Sequence, residues 1–172
     1  MSKILIIYST TDGQTKKICE KIKKFSKNNK QITIISLNKI NDQNLNLYEE
    51  IIIGASIRYG KHNSKIYSFI ESNKNILQSK KSAFFSVNVV ARKLEKNSPE
   101  TNPYMKNFLK KTDWKPDRLA VFAGKVDYPN YSFFNKLVIR FIMYLTKGPT
   151  DTSKSYEFTD WKKVEEFAKT KI

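Results

Sequence analysis

Hydroxyl side chains crowd one short stretch of this chain, Ser9-Thr10-Thr11-Asp12-Gly13-Gln14-Thr15. It follows the apolar run Ile4 to Tyr8 and leads into a basic amphipathic segment. Hydroxyls, free backbone N–H groups and the positive end of a helix dipole gathered at one point form a phosphate site. Gly13 allows close backbone approach. The stretch lacks the P-loop lysine pattern, which disfavours a nucleoside triphosphate, and a flavin mononucleotide (FMN) phosphate fits better. The Asp12 carboxylate cannot assist a phosphate by charge and is expected to cap the helix that follows. A polar strand-to-helix turn would look much the same, so this loop needs company.

Two further loops supply it. Gly54-Ala55-Ser56-Ile57-Arg58-Tyr59-Gly60 leaves an apolar run with small residues, an aromatic and a cation. Ala55, Ser56 and Ile57 would let a flat ring lie against the backbone, and Tyr59 would stack on it. Ser86, Val87 and Asn88 close another strand-like run, and their backbone groups would read the edge of a ring. Arg58, Arg92 and Lys93 are candidates for substrate carboxylates, Arg through its forked geometry. His62 is the sole histidine and Cys19 the sole cysteine. No metal site is expected, and Cys19 reads as a core residue in a chain without disulfides. Trp114 and Trp161 read as packing residues.

Positioning these loops requires strands that end together. Strand-like runs fall at Ile4 to Tyr8, Gln31 to Leu37, Glu50 to Ser56, Ser82 to Asn88 and Leu119 to Gly124. Helix-like segments fall at Lys16 to Lys27, Ser64 to Ile76, Pro103 to Lys111 and Trp161 to Lys171. The first and third runs are almost wholly apolar, as in parallel strands buried on both faces. The pattern predicts a doubly wound α/β fold with ligands beyond the carboxyl ends of the strands. A long insertion, at about 125–150, follows the last strand. Within it Phe133 to Lys147 is a helix candidate ended by Gly148-Pro149, with Phe133, Phe134, Leu137, Val138, Phe141, Ile142 and Leu145 on a broad apolar face. Lys136, Arg140 and Lys147 form a narrow basic stripe opposite.

With 172 residues the chain suits one domain, residues 1–172. No apolar run approaches the roughly 20 residues of a membrane span, and no leader is expected. The net charge of +16 points to an anionic partner. Of the 32 basic residues only Arg58, Arg92, Arg118 and Arg140 are arginine; abundant Lys, Asn and Ile also fit AT-rich codon usage. No motif or aromatic–basic platform indicates nucleic acid.

Taken together, the strings resemble the flavodoxin superfamily, with Asp12 standing where many members carry a third hydroxyl. GASIRYG (Gly54 to Gly60), FFSVNVVARK (Phe84 to Lys93), AGKVDYPNY (Ala123 to Tyr131) and TDTSK followed by TDW (Thr150 to Trp161) narrow this. They resemble the bacterial flavodoxin-like, quinone-dependent protoporphyrinogen IX dehydrogenases over essentially the whole chain. The resemblance implies a five-stranded parallel sheet of order 2-1-3-4-5 and FMN as cofactor. It also implies oxidation of protoporphyrinogen IX in haem biosynthesis, with electrons passed to menaquinone or ubiquinone. It further implies a peripheral place on the cytoplasmic face of the bacterial inner membrane, reached through Phe133 to Lys147, with homo-oligomerisation open. A soluble flavodoxin-type electron carrier or an NAD(P)H:quinone reductase is the alternative, although such carriers are generally acidic.

Overall fold

The computed structural model describes residues 2–26, 30–40 and 44–170. In chain order the elements are β1 (Ser2–Ser9), α1 (Gln14–Phe25), β2 (Lys30–Ser36), β3 (Glu50–Arg58), β4 (Lys61–His62), α2 (Ser64–Ser72), α3 (Lys74–Ser79) and β5 (Lys81–Val87). There follow α4 (Pro103–Lys111), β6 (Arg118–Phe122), β7 (Lys125–Asp127), α5 (Phe133–Leu145), β8 (Ser155–Glu157) and α6 (Trp161–Lys169). The parallel strands run β2-β1-β3-β5-β6, which is the expected order, and β4 folds back antiparallel on β3.

Strand periodicity sorts the core onto two faces. Leu5, Ile7, Ile51, Ile53 and Phe84 pack with Ile66 and Ile70 of α2, Leu77 of α3 and Phe108 of α4. Their neighbours Ile4, Ile6, Ile52, Phe85 and Phe122 pack with Ile18 and Ile22 of α1 and Val164 and Phe167 of α6. Cys19 and Trp114 are fully buried in these layers. Gly54 permits a close approach: a Cβ there would stand 2.1 Å from the Phe85 ring. The register aligns Ser9 with Ala55, Ala55 with Ser86 and Val87 with Phe122. The loops after β1, β3 and β5 therefore leave the sheet side by side.

Some boundaries differ from expectation. The single helix expected over Ser64 to Ile76 is broken at Asn73. Its side-chain amide donates to the Phe69 carbonyl at 2.8 Å and its backbone N–H reaches Phe69 and Ile70, so it terminates α2 before α3 begins. Lys27 and Lys171, the expected ends of two other helices, lie outside the described residues.

The insertion is bracketed by an antiparallel pair, β7 with β8, in which Val126 faces Tyr156, so it runs to Glu157 rather than to residue 150. Val126, Tyr128 and Met143 form its own small core, with Ile139, Tyr131, Tyr156 and Phe158 packed around it. Of α5 only Met143 is buried. Phe133 is 79% exposed and Tyr144 72%, and Phe134, Leu137, Phe141 and Leu145 are exposed as well. The apolar face thus points outward. The side laid on the domain carries Ile139 and Met143, so the helix is apolar on both sides and the cations flank it. Its end also differs. Lys147, not Gly148, adopts the left-handed conformation (φ 55°), while a Cβ on Gly148 would meet Met143 at 2.3 Å and Arg92 at 2.8 Å. Among the described residues no helix is long and apolar enough to cross a membrane.

Candidate functional site

The three loops and the insertion enclose one cleft at the carboxyl end of the sheet, with an empty volume of about 780 Å³ including its open mouth. Thr10, Thr11, Asp12, Gln14 and Thr15 line it from the first loop. Ser56, Ile57, Arg58 and Tyr59 line it from the second, and Val87 and Asn88 from the third. Ser9, Gly13, Ala55, Ser86, Arg92 and Lys93 are not among its lining residues.

In the first loop the Gly13 N–H donates to Thr10 Oγ1 at 3.0 Å, and Gly13, at φ 83°, starts α1. Gln14 is buried and donates to Thr159 Oγ1 at 2.8 Å, which in turn donates to the Ala123 carbonyl. Thr15 is fully buried, yet its Oγ1 has no hydrogen-bond partner among the described residues. A buried hydroxyl at a helix start, in the lining of a cleft and without a protein partner, is compatible with a ligand contact there. The donors here, hydroxyls and backbone N–H groups at the positive helix end, fit a phosphate.

Asp12 does not cap α1, which starts without a side-chain cap. It instead stands 3.4 Å from Arg58 Nη1 and accepts the Tyr131 hydroxyl at 3.1 Å. A left-handed Gly at the helix start leaves the preceding carboxylate turned outward, where a cation and a phenol take it. Arg58 lies against the rings of Tyr59 and Tyr131, 5.1 and 5.3 Å from their centroids. Tyr59 and Gly60 both have positive φ, 48° and 78°, and make the two-residue turn between β3 and β4. The Tyr59 hydroxyl donates to Asn135 Oδ1 of α5.

The third loop is built on buried amides. Asn88 donates to Ser86 Oγ at 3.1 Å and accepts from Asn102 at 3.1 Å and from the Ala91 N–H at 3.0 Å. Its backbone is committed too: its N–H donates to the Phe122 carbonyl and its carbonyl accepts from Gly124. The expectation that Asn88 backbone groups read a ring edge is therefore not met, and Val89 and Val90 line the cleft at this level. His62 lies beneath, 2.9 Å from Ser86 Oγ and edge-on to Phe84 and Phe108. Burial pushes its pKa down to about 4. Arg92 is drawn away from the cleft, because it donates to the Val89 carbonyl and to both Thr146 oxygens at 2.9 and 3.0 Å. The insertion adds Lys125, Val126, Tyr131, Ile139, Ile142 and Met143 to the lining, and α4 adds Tyr104.

The geometry has counterparts among known proteins. Residues 5–153 match the family described as Flavodoxin domain. The chain belongs to this flavodoxin family. The flavodoxin-family chain is 41% identical over 97% of its length to an Escherichia coli K12 protein named protoporphyrinogen IX dehydrogenase [quinone], 93% of which is covered. It is 40% identical over 96% of its length to a Leishmania major protein of the same name, 73% of which is covered. Among solved structures the oxidised flavodoxin 1 of Bacillus cereus shares the fold, with a TM-score of 0.55 at 16% identity, covering 97% of this chain and 95% of that one. Sequence reasoning missed Tyr131, Tyr104 and the α5 wall of the flavodoxin-family cleft, and Thr159, which holds Gln14 behind it. Tyr131 and Thr159 stand inside the strings AGKVDYPNY and TDW, so the resemblance carried by those strings was the available signal. Nothing local marks Tyr104, which α4 carries to the cleft.

Proposed function

We propose that this chain is an FMN-dependent oxidoreductase. It takes electrons from protoporphyrinogen IX and passes them to a membrane quinone, working as one domain of residues 1–172 against an anionic bilayer. The observation that carries the reading is a single cleft joining a hydroxyl loop, with its orphaned Thr15 Oγ1, to an apolar wall donated by α5. The name shared by the relatives matched over nearly the whole chain supplies the substrate and the acceptor class. Bound FMN would supply the electron-transfer chemistry. Thr10, Thr11 and Thr15 would hold its phosphate. Ser56, Ile57 and Tyr59 on one side and Val87 to Val90 on the other would flank its ring. Arg58, inside the cleft, would face a substrate carboxylate, whereas Arg92 holds the end of α5 and Lys93 lies outside the cleft lining.

The outward face of α5 supports membrane docking. Its exposed aromatic and aliphatic residues are flanked by Arg140 and Lys147, and no Asp or Glu occurs from Tyr128 to Thr150. An apolar face with basic flanks suits the headgroup boundary, where each Lys or Arg adds about 1 kcal/mol of attraction. The decisive experiment loads the purified protein with FMN and follows porphyrin fluorescence from anaerobic protoporphyrinogen IX with a short-chain naphthoquinone. Quinone-dependent porphyrin formation is expected; its absence in a flavin-loaded protein sinks the reading. Flotation with anionic vesicles checks the surface: Phe134→Ser with Phe141→Ser should stay behind while keeping its flavin.

A further inference from the structure

The first loop and the insertion are joined by a contact that neither packing nor helix capping explains. We propose that Asp12 is a positioning residue that latches the insertion onto the phosphate loop, so that a flavin phosphate and a closed insertion stabilise each other. The proposal rests on the reading of that loop as a flavin phosphate site.

A carboxylate beside an anion site is a cost, and it calls for compensation. Arg58 supplies the charge, 3.4 Å from both Asp12 oxygens. Tyr131 supplies the link. Its hydroxyl donates to Asp12 and accepts the Asp127 backbone N–H, both at 3.1 Å. The Asp127 side chain in turn gathers Lys125, Asn130 and Ser155, which ties the two strands at the base of the insertion. A continuous polar chain therefore runs from the tip of the first loop to the β7–β8 pair. Burial raises the Tyr131 phenol to about 12, so it remains a donor throughout the neutral range. Asp12 is the immediate neighbour of Gly13, whose N–H is turned onto Thr10 Oγ1. Fixing Asp12 fixes the loop that a phosphate must enter, and by linkage a phosphate in that loop fixes Asp12 and the insertion behind it.

The test compares FMN with riboflavin, which lacks the phosphate, in the wild type and in Tyr131→Phe. Binding is read by flavin fluorescence, and insertion closure by the rate of tryptic cleavage after Lys136, Arg140 and Lys147. In the wild type FMN should slow that cleavage and riboflavin should not. Tyr131→Phe should weaken FMN by about fivefold or more and riboflavin by less than about twofold, and should abolish the protection. Equal weakening of both flavins places Tyr131 on the ring and overturns the latch. Protection by FMN that survives in Tyr131→Phe overturns it as well, while leaving the flavin site standing. A wild type that binds no FMN overturns both.

Discussion

At the scale of single residues the cleft wall holds a buried hydroxyl without a partner among the described residues, Thr15, and beneath it a histidine kept from charging, His62. Replacing Thr15 with Val removes the buried hydroxyl without changing shape. The ligand-free protein should be no less stable, because an unpartnered buried hydroxyl carries a desolvation cost. FMN affinity should fall about tenfold, equivalent to one charge-assisted hydrogen bond, as read by flavin titration. His62 gives a pH signature. Its folded-state pKa, about 4, lies below the ordinary value of 6.5, so between those values the unfolded chain binds the extra proton. Stability is full above about 6.5, declines as pH falls toward 4, and the His62 contribution changes no further below that. The loss is on the order of 3 kcal/mol. His62→Gln, denatured in urea from pH 7 to 4, should show a shallower decline than the wild type. Hydroxyls were legible in the sequence because residue type declares donor chemistry. The burial of Thr15, and the diversion of Arg92 and Asn88 into structural bonds, were not legible, because a partner's position is set by tertiary packing.

At the scale of elements the insertion is a separate small structure pinned to the sheet at few points. Arg92 is one pin, holding the end of α5 through Thr146. Arg92→Ala should leave flavin content unchanged and speed proteolysis after Lys147 by about tenfold or more, in line with the roughly 1.5–3 kcal/mol of a charged hydrogen-bond set. Arg92→Lys should restore little, since a single ammonium cannot span Val89 and both Thr146 oxygens. Elements with strong periodicity were legible from sequence: β1 and β3 as unbroken apolar runs, α4 within its observed bounds. The break at Asn73 was not, because the helical pattern of Ile66, Ile70 and Leu77 continues across it and only a side-chain-to-carbonyl bond ends α2. The outward turn of α5 was foreseen as a docking surface but not decided against packing inward, since a helix apolar on two sides gives no cue to which one meets the domain.

For the whole molecule, charge and apolar area act at different ranges. In the proposed docking a net charge of +16 would draw the chain toward an anionic surface over about a Debye length, roughly 10 Å at 0.1 M salt, and the α5 face would act only in contact. Raising salt to about 1 M, where the screening length is roughly 3 Å, should weaken vesicle flotation without abolishing it. Complete release would mean that charge alone holds the protein there. The turn that carries Tyr59 has a consequence for engineering. A tyrosine at φ 48° holds a conformation suited to glycine, so Tyr59→Gly should relieve backbone strain while losing the ring and its bond to Asn135. A selection for heat resistance alone would drift toward that exchange; with Tyr59 beside the flavin ring, as proposed, one that also demands the cofactor would refuse it. On that proposal durability and activity compete for one side chain.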